Sequence, residues 1–296
     1  MSPEEFAALD GVGLAELIGK RVVSIAEVTR ATRSAIDRVN PTLNAISDIY
    51  EDRFDNPESG LASGPLKGVP FLVKDIGDHF GGRKMECGSR LCEGFVVPED
   101  DYYAQMVKGA GVNLVGRSNT PEFSMALCAA NLLHGATSNP WKPGYSTSGS
   151  SGRAACAVAS GMVPIAHASD LGGSTRGPAA WCGTVGLHPS RGRVSCGPLS
   201  DEHGFGMAQA SVVTRTMRDT AVMLEAISVP QTGDPFIIRQ PQHPYRHYLR
   251  DPGPVRRIGV SVSPLMDAPV DPEVAATVMA TARMLQQLGH HVEEAA

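Results

Sequence analysis

Two glycine- and serine-rich tracts lie near the middle of the chain, joined by a segment of small apolar residues. The first is Ser148-Gly149-Ser150-Ser151-Gly152 and the second is Leu171-Gly172-Gly173-Ser174-Thr175-Arg176. Taken singly, each tract reads as a flexible turn. The segment between them, Ala154 to Ala159, argues otherwise, because small apolar side chains suit a helix packed tightly within a core and a flexible linker would not need them. Gly172-Gly173 directly before a serine also lets consecutive backbone N–H groups turn inward, which is the requirement of an oxyanion hole. The apolar run continues to Ala166 but is interrupted by Ser160, Gly161 and Pro164, so it is too short to span a bilayer.

The flanking sequence supplies elements for such a centre. Ser24 opens a capping box with Glu27, and Ile25, Val28, Ala35, Ile36 and Val39 share one helical face before Asn40-Pro41, where the helix is expected to stop. An acidic loop from Glu51 to Pro65 follows. Gly68-Val69-Pro70-Phe71-Leu72-Val73-Lys74-Asp75 is a short apolar run ending in two charges, read as a buried strand that delivers Lys74 to its end. A helix over Tyr102 to Lys108 and a strand over Val112 to Val115 give a strand-helix-strand rhythm, hence a sheet covered by helices. Thr216 and Asp219 open a helix over Met217 to Ile227, and a Pro-rich stretch from Pro230 to Pro254 reads as a surface connection. Beyond it, Val255 to Val262 is an expected strand. Asp271 caps a helix with Pro272 at its first position, with Val274, Val278, Leu285 and Leu288 spaced for a buried face. Gly289 stops that helix and His291-Val292-Glu293 begins another strand.

Composition narrows the function. The 296 residues suit one large or two modest domains, and 42% hydrophobic with 19% charged residues is an ordinary globular balance. Against 31 acidic residues stand 26 basic ones, a formal charge of −5, which argues against a broad electrostatic grip on nucleic acid or an anionic membrane. No basic region precedes an apolar stretch at the N-terminus. The 6 cysteines include no Cys-x-x-Cys pair and read as reduced thiols of a cytoplasmic protein. No phosphate-binding loop, dinucleotide fingerprint or Gly-x-Ser-x-Gly elbow is present, and the dispersed histidines offer no metal set.

The central motifs resemble the amidase signature family. Gly-Ser-Ser-Gly is followed by Asp-Leu-Gly-Gly-Ser-Thr-Arg-Gly-Pro-Ala-Ala and by Cys-Gly-Thr-Val-Gly-Leu-His-Pro-Ser-Arg-Gly. Gly68 to Asp75 is similar to that family's lysine-bearing strand, and Ser118 to Phe123 and Asn139-Pro140-Trp141 are similar to its intervening segments. The tail, with Leu288-Gly289-His290-His291-Val292-Glu293, resembles the branch acting on cyclic nylon-type oligoamides. The resemblance implies an α/β fold with a mixed central β-sheet covered by helices on both faces. It implies one domain over residues 1–296 with its C-terminal part missing, since members of the family continue further. An open sheet edge would then favour association with another chain.

Carried over by position, the resemblance makes Ser174 the nucleophile, Lys74 the base and Ser150, on a cis peptide bond, the proton shuttle. Leu171, Gly172 and Gly173 would form the oxyanion hole. Ser151 would support Lys74, and Asp170 and Arg176 would brace the loop. A serine hydroxyl needs an adjacent base. With no histidine in either motif that base must be a neutral lysine, and lowering its pKa from about 10.4 to about 7.5 withdraws roughly 4 kcal/mol from the charged form. Burial beside Phe71, Leu72 and Val73 acts in that direction. Asp78, His79, Met125 and Cys128 are candidates to line the cleft.

Four positions depart from the family pattern. Arg153 and Ser148 stand where glycine is usual, and Thr175 and Gly177 where apolar residues are usual. Arg153 is expected either to lower the Lys74 pKa further or to distort the cis-serine turn. The expected function is hydrolysis of a small-molecule amide with no metal or organic cofactor. The alternatives are a catalytically silent homologue or binding subunit, and one component of a glutamine-dependent amidotransferase.

Overall fold

Short helices open the chain because each begins at a residue that can cap it. Ser2 caps α1 (Pro3–Ala8), Asp10 caps α2 (Gly11–Gly19), and the Ser24–Glu27 capping box starts α3 (Ile25–Leu43). Helix α3 does not stop at Asn40-Pro41. Pro41 sits in the last turn, where its missing N–H forfeits one bond, and the helix ends at Asn44 in the left-handed conformation. The Asn40 side chain then accepts from the Ala45 and Ile46 N–H groups, tying the helix to β1 (Ile46–Ile49). The computed structural model describes residues 1–251, 253–264, 266 and 268–295; Pro252 of the Pro-rich stretch and the terminal Ala296 lie outside the described residues.

The expected loop after Tyr50 begins instead with a helical turn, α4 (Glu51–Asp55). Then come β2 (Pro70–Lys74), α5 (Tyr102–Gly109) and β3 (Asn113–Ser118). A small hairpin, β4 (Ala130–Asn131) with β5 (Gly135–Ala136), precedes α6 (Gly152–Ala159). The rest of the larger unit is β6 (Ile165–Asp170), α7 (Arg176–Cys182), β7 (Val185–Gly186), β8 (Gln209–Thr214) and α8 (Met217–Ile227). The sheet order is β1-β3-β2-β6-β8-β7, with β3, β2 and β6 mutually parallel and the other pairings antiparallel. The sheet is therefore mixed, and it divides two cores. Phe71, Val73, Leu114 and Ile165 enter one with Tyr103 of α5 and Val222 of α8, while Leu72, Val115, Ala166 and Val213 enter the other with Ala154 and Ala157 of α6. The small residues of α6 let it lie close against the strands, as the sequence suggests.

The chain divides into two compact units, Met1–Arg246 and His247–Ala296. The smaller unit is a strand-helix-strand: β9 (Arg257–Val260), α9 (Pro272–Gln287) and β10 (His291–Glu294), the strands parallel with Val292 opposite Ile258. Its helix is capped by Asp271 and stopped before Gly289 as expected, but the expected apolar face is only partly covered. Ala282 is buried and Val278 and Leu285 half-buried, whereas Val274 and Leu288 are exposed, because two strands cannot cover sixteen residues of helix. No helix among the described residues is long and apolar enough to cross a membrane.

Candidate active site

Alternation along β2 aims Lys74. Phe71 and Val73 enter the α5 core and Leu72 the α6 core, so the next residue on the Leu72 side, Lys74, turns toward the start of α6. There the peptide Gly149–Ser150 is cis, directly before the helix. The Lys74 Nζ lies 2.8 Å from Ser150 Oγ and 2.9 Å from Ser169 Oγ, with 1% of the lysine exposed. Burial pushes the Lys74 amine down to about 7, against the opposing pull of Asp78 and Asp170. The turn is held from above. A Cβ on Gly149 would meet the Ala126 carbonyl oxygen at 2.6 Å and the Cys128 nitrogen at 2.9 Å, so only glycine lets the 126–128 segment pass.

Ser174 follows β6 on the second glycine-rich turn. Its carbonyl accepts from the Ser151 N–H at 3.0 Å, which joins the two serine tracts through their backbones. Ser150 and Ser174 line one cavity of about 460 Å³, whose apolar wall includes Ile76, Phe123, Met125, Leu127 and Leu171. Among the described residues the Ser174 hydroxyl is not bonded to Ser150 or Lys74; such contacts commonly tighten only when substrate binds.

Asp170 organises the turn. Its carboxylate accepts from the N–H groups of Gly173, Thr175 and Arg176 and from the Arg176 guanidinium, with both side-chain contacts at 2.9 Å. Burial opposes its charge, but these donors together hold it well below the usual carboxylate range. One of the three expected oxyanion-hole donors is already engaged. The Gly173 N–H is spent on Asp170, while among the described residues the N–H groups of Leu171 and Gly172 find no protein acceptor. Ser151 does not reach Lys74 either. Its hydroxyl bonds to the backbone of Ser169, and it is Ser169 that touches the amine.

Of the four cleft candidates, Asp78 and Met125 line the cavity. His79 and Cys128 are not among its lining residues: the His79 N–H is bound by Asp101, and Cys128 is exposed on the segment crossing Gly149. Arg153 neither joins Lys74 nor breaks the turn. It is buried, with its guanidinium donating to the Gly135 carbonyl of the β4–β5 hairpin, and the charges acting on Lys74 are those of Asp78 and Asp170. Burial lowers Arg153 itself to about 10.

Residues 27–296 match the family described as Amidase. The chain belongs to that family. It is 37% identical over 292 residues to the 6-aminohexanoate-cyclic-dimer hydrolase of Paenarthrobacter ureafaciens, covering 97% of this chain and 59% of the relative. It is 32% identical over 288 residues to a glutamyl-tRNA(Gln) amidotransferase subunit of Syntrophobacter fumaroxidans, covering 95% of this chain and 59% of the relative. Among solved structures, that of a 6-aminohexanoate cyclic dimer hydrolase superposes with a TM-score of 0.92 at 36% identity, covering 98% of this chain and 61% of the other. A bacterial aryl acylamidase superposes with a TM-score of 0.87 at 29% identity over 97% and 61%. The chain thus spans about three-fifths of the length of these relatives.

Two further residues of the candidate site carry no signal in the sequence. Ser169, the second partner of the lysine amine, sits one residue before Asp170 and was legible only as a strand position. His167, two residues earlier, accepts the Lys74 backbone N–H. Neither occurs in a spacing motif, and only the pairing of β2 with β6 brings them to the lysine.

Proposed function

We propose that this chain carries an amide-hydrolysing site that works by acyl transfer to Ser174. The observation that carries the reading is an amine with a pKa near neutrality, Lys74, within 2.8 Å of the Ser150 hydroxyl on the cavity that Ser174 also lines. Neutral Lys74 takes the Ser150 proton as Ser150 takes that of Ser174, and the Ser174 oxygen adds to the amide carbonyl. The N–H groups of Leu171 and Gly172 face the resulting oxyanion. The chain of protons then reverses, Ser150 protonates the departing amine, and the C–N bond breaks. Water, activated through the same two groups, releases the carboxylic acid and restores Ser174.

The apolar wall favours an amide flanked by aliphatic or aromatic carbon. Similarity to a 6-aminohexanoate-cyclic-dimer hydrolase supports aliphatic amides as the first to assay. Similarity to a glutamyl-tRNA(Gln) amidotransferase component supports a second reading, in which glutamine is the amide and a partner receives the ammonia. A fluorophosphonate probe tests the site without presuming a substrate. Labelling is expected in the parent and absent in Ser174→Ala; labelling that survives Ser174→Ala refutes the assignment. Partner-dependent release of ammonia from glutamine would select the second reading.

A further inference from the structure

On its β6 side the end of β2 is held by a side chain, while on its β3 side Lys74 pairs with Ser118. The pairing with β6 runs through Phe71 opposite Ile165 and Leu72 opposite Ala166, yet at Lys74 the backbone N–H donates to His167 Nδ1, at 3.2 Å. A ring nitrogen that accepts carries no proton, so the proton lies on Nε2, which donates to Asp78 Oδ2 at 2.8 Å. His167 is fully buried and Asp78 is 3% exposed. The imidazole is set beside the rings of Tyr103 and Phe80, at 4.8 and 5.9 Å between centroids. With both nitrogens committed, His167 cannot take a serine proton without giving up its bond to the Lys74 N–H. Its role is to position.

The charges around Lys74 are unequal in what neutralises them. Asp170 is covered by Arg176 and three amides, and Asp75, next in the chain, is paired with Arg117. Arg153 is turned to the β4–β5 hairpin. Asp78, by contrast, is bonded to a neutral imidazole and lines the cavity. Behind it, burial and then the Asp78 charge push Asp101 up to about 7, and burial with a smaller contribution from Asp78 pushes the Cys196 thiol up to about 11. The His79 backbone joins Asp101, and the Tyr103 hydroxyl, pushed up by burial and then by Asp78 and Asp101, lies on this side as well.

We propose that Asp78 and His167 form a positioning pair for Lys74: the imidazole fixes the strand end that carries the amine, and the Asp78 carboxylate stabilises the ammonium that forms when Lys74 accepts the serine proton. The inference rests on Lys74 being the base. Its test is the rate of Ser174 modification by a fluorophosphonate as a function of pH, which reads the base without requiring turnover. In Asp78→Asn the acid limb is expected to move to lower pH by about one unit, because an anion near the ammonium is removed. In His167→Ala the rate is expected to fall about tenfold or more at every pH, with reversible affinity for the probe unchanged. His167→Gln is expected to recover most of that loss, since its amide can accept from the Lys74 N–H and donate to Asp78. A cooperatively melting Asp78→Asn whose limb stays in place or rises overturns the electrostatic half. His167→Gln as slow as His167→Ala overturns the positioning half, and it serves where Asp78→Asn does not fold. An unlabelled parent removes this inference together with the proposed function, whereas Ser174-dependent labelling with an unmoved limb removes this inference alone.

Discussion

At the residue scale, two departures from the family pattern explain one another. Ser148 stands on a positive φ of 60°, a conformation glycine adopts without cost. A Cβ on Gly177 would lie 3.1 Å from Ser148 Oγ, so the hydroxyl occupies space that a larger residue at 177 would need. The pair should therefore be coupled. Gly177→Ala gains helix propensity in α7 but crowds Ser148, and Ser148→Gly both relaxes the backbone and clears the space. The double variant is expected to exceed the sum of the single changes by roughly 1 kcal/mol in urea unfolding. Simple additivity would show that the serine rotates away freely. Arg153 teaches a different lesson. The sequence placed a cation three residues after Ser150 but could not say which way a helical side chain there would run, and the answer depends on a hairpin whose own residues carry no motif.

At the element scale, β2 was legible because an apolar run ended abruptly in charge, and such a pattern has few solutions other than a buried strand with a functional end. Helix α3 runs past its expected stop because proline is tolerated in a last turn when a side chain, here Asn40, gathers the chain beyond it. The face of α9 is less buried than its periodicity implies, because periodicity reports what a helix could bury, not how much sheet it meets. The cost of β2 can be measured. Lys74 is near 10.4 in an unfolded chain and is held at about 7 in the folded one. Between those values the unfolded state binds more protons, so this group makes stability rise with pH from about 7 to about 10. Its penalty is full below 7 and gone above 10. Lys74→Met, which removes the titration but also the contacts to Ser150 and Ser169, is expected to lose Ser174 labelling while melting about 2–4 kcal/mol more stably at pH 6. That advantage should shrink steadily toward pH 10. A constant difference across the range would mean that the amine is solvated.

At the scale of the whole molecule, the strand ending in Lys74, the two serine turns and the helix between them are legible in the sequence, but the strand order that assembles them is not. Sheet order depends on pairings between distant segments, and Ser169 and His167 became visible only once β6 lay beside β2. The partition into two units is not legible either: its boundary, between Arg246 and His247, falls inside the Pro-rich stretch, which reads only as a surface connection. Every residue of the candidate site belongs to the unit Met1–Arg246, as do both apolar cores. That unit also has a defined end. The Arg246 N–H is bound by Glu225 of α8 at 2.7 Å, and the guanidinium meets the same carboxylate at 3.0 Å. A chain ended after Arg246 removes β9, α9 and β10 but no core residue of the larger unit. It is expected to melt cooperatively and to keep Ser174-dependent fluorophosphonate labelling within about threefold of the parent rate, a difference of less than 1 kcal/mol in the barrier. Loss of cooperative melting would show that the smaller unit contributes to the larger one's stability. Cooperative melting with lost labelling would show that the last fifty residues contribute to the site itself.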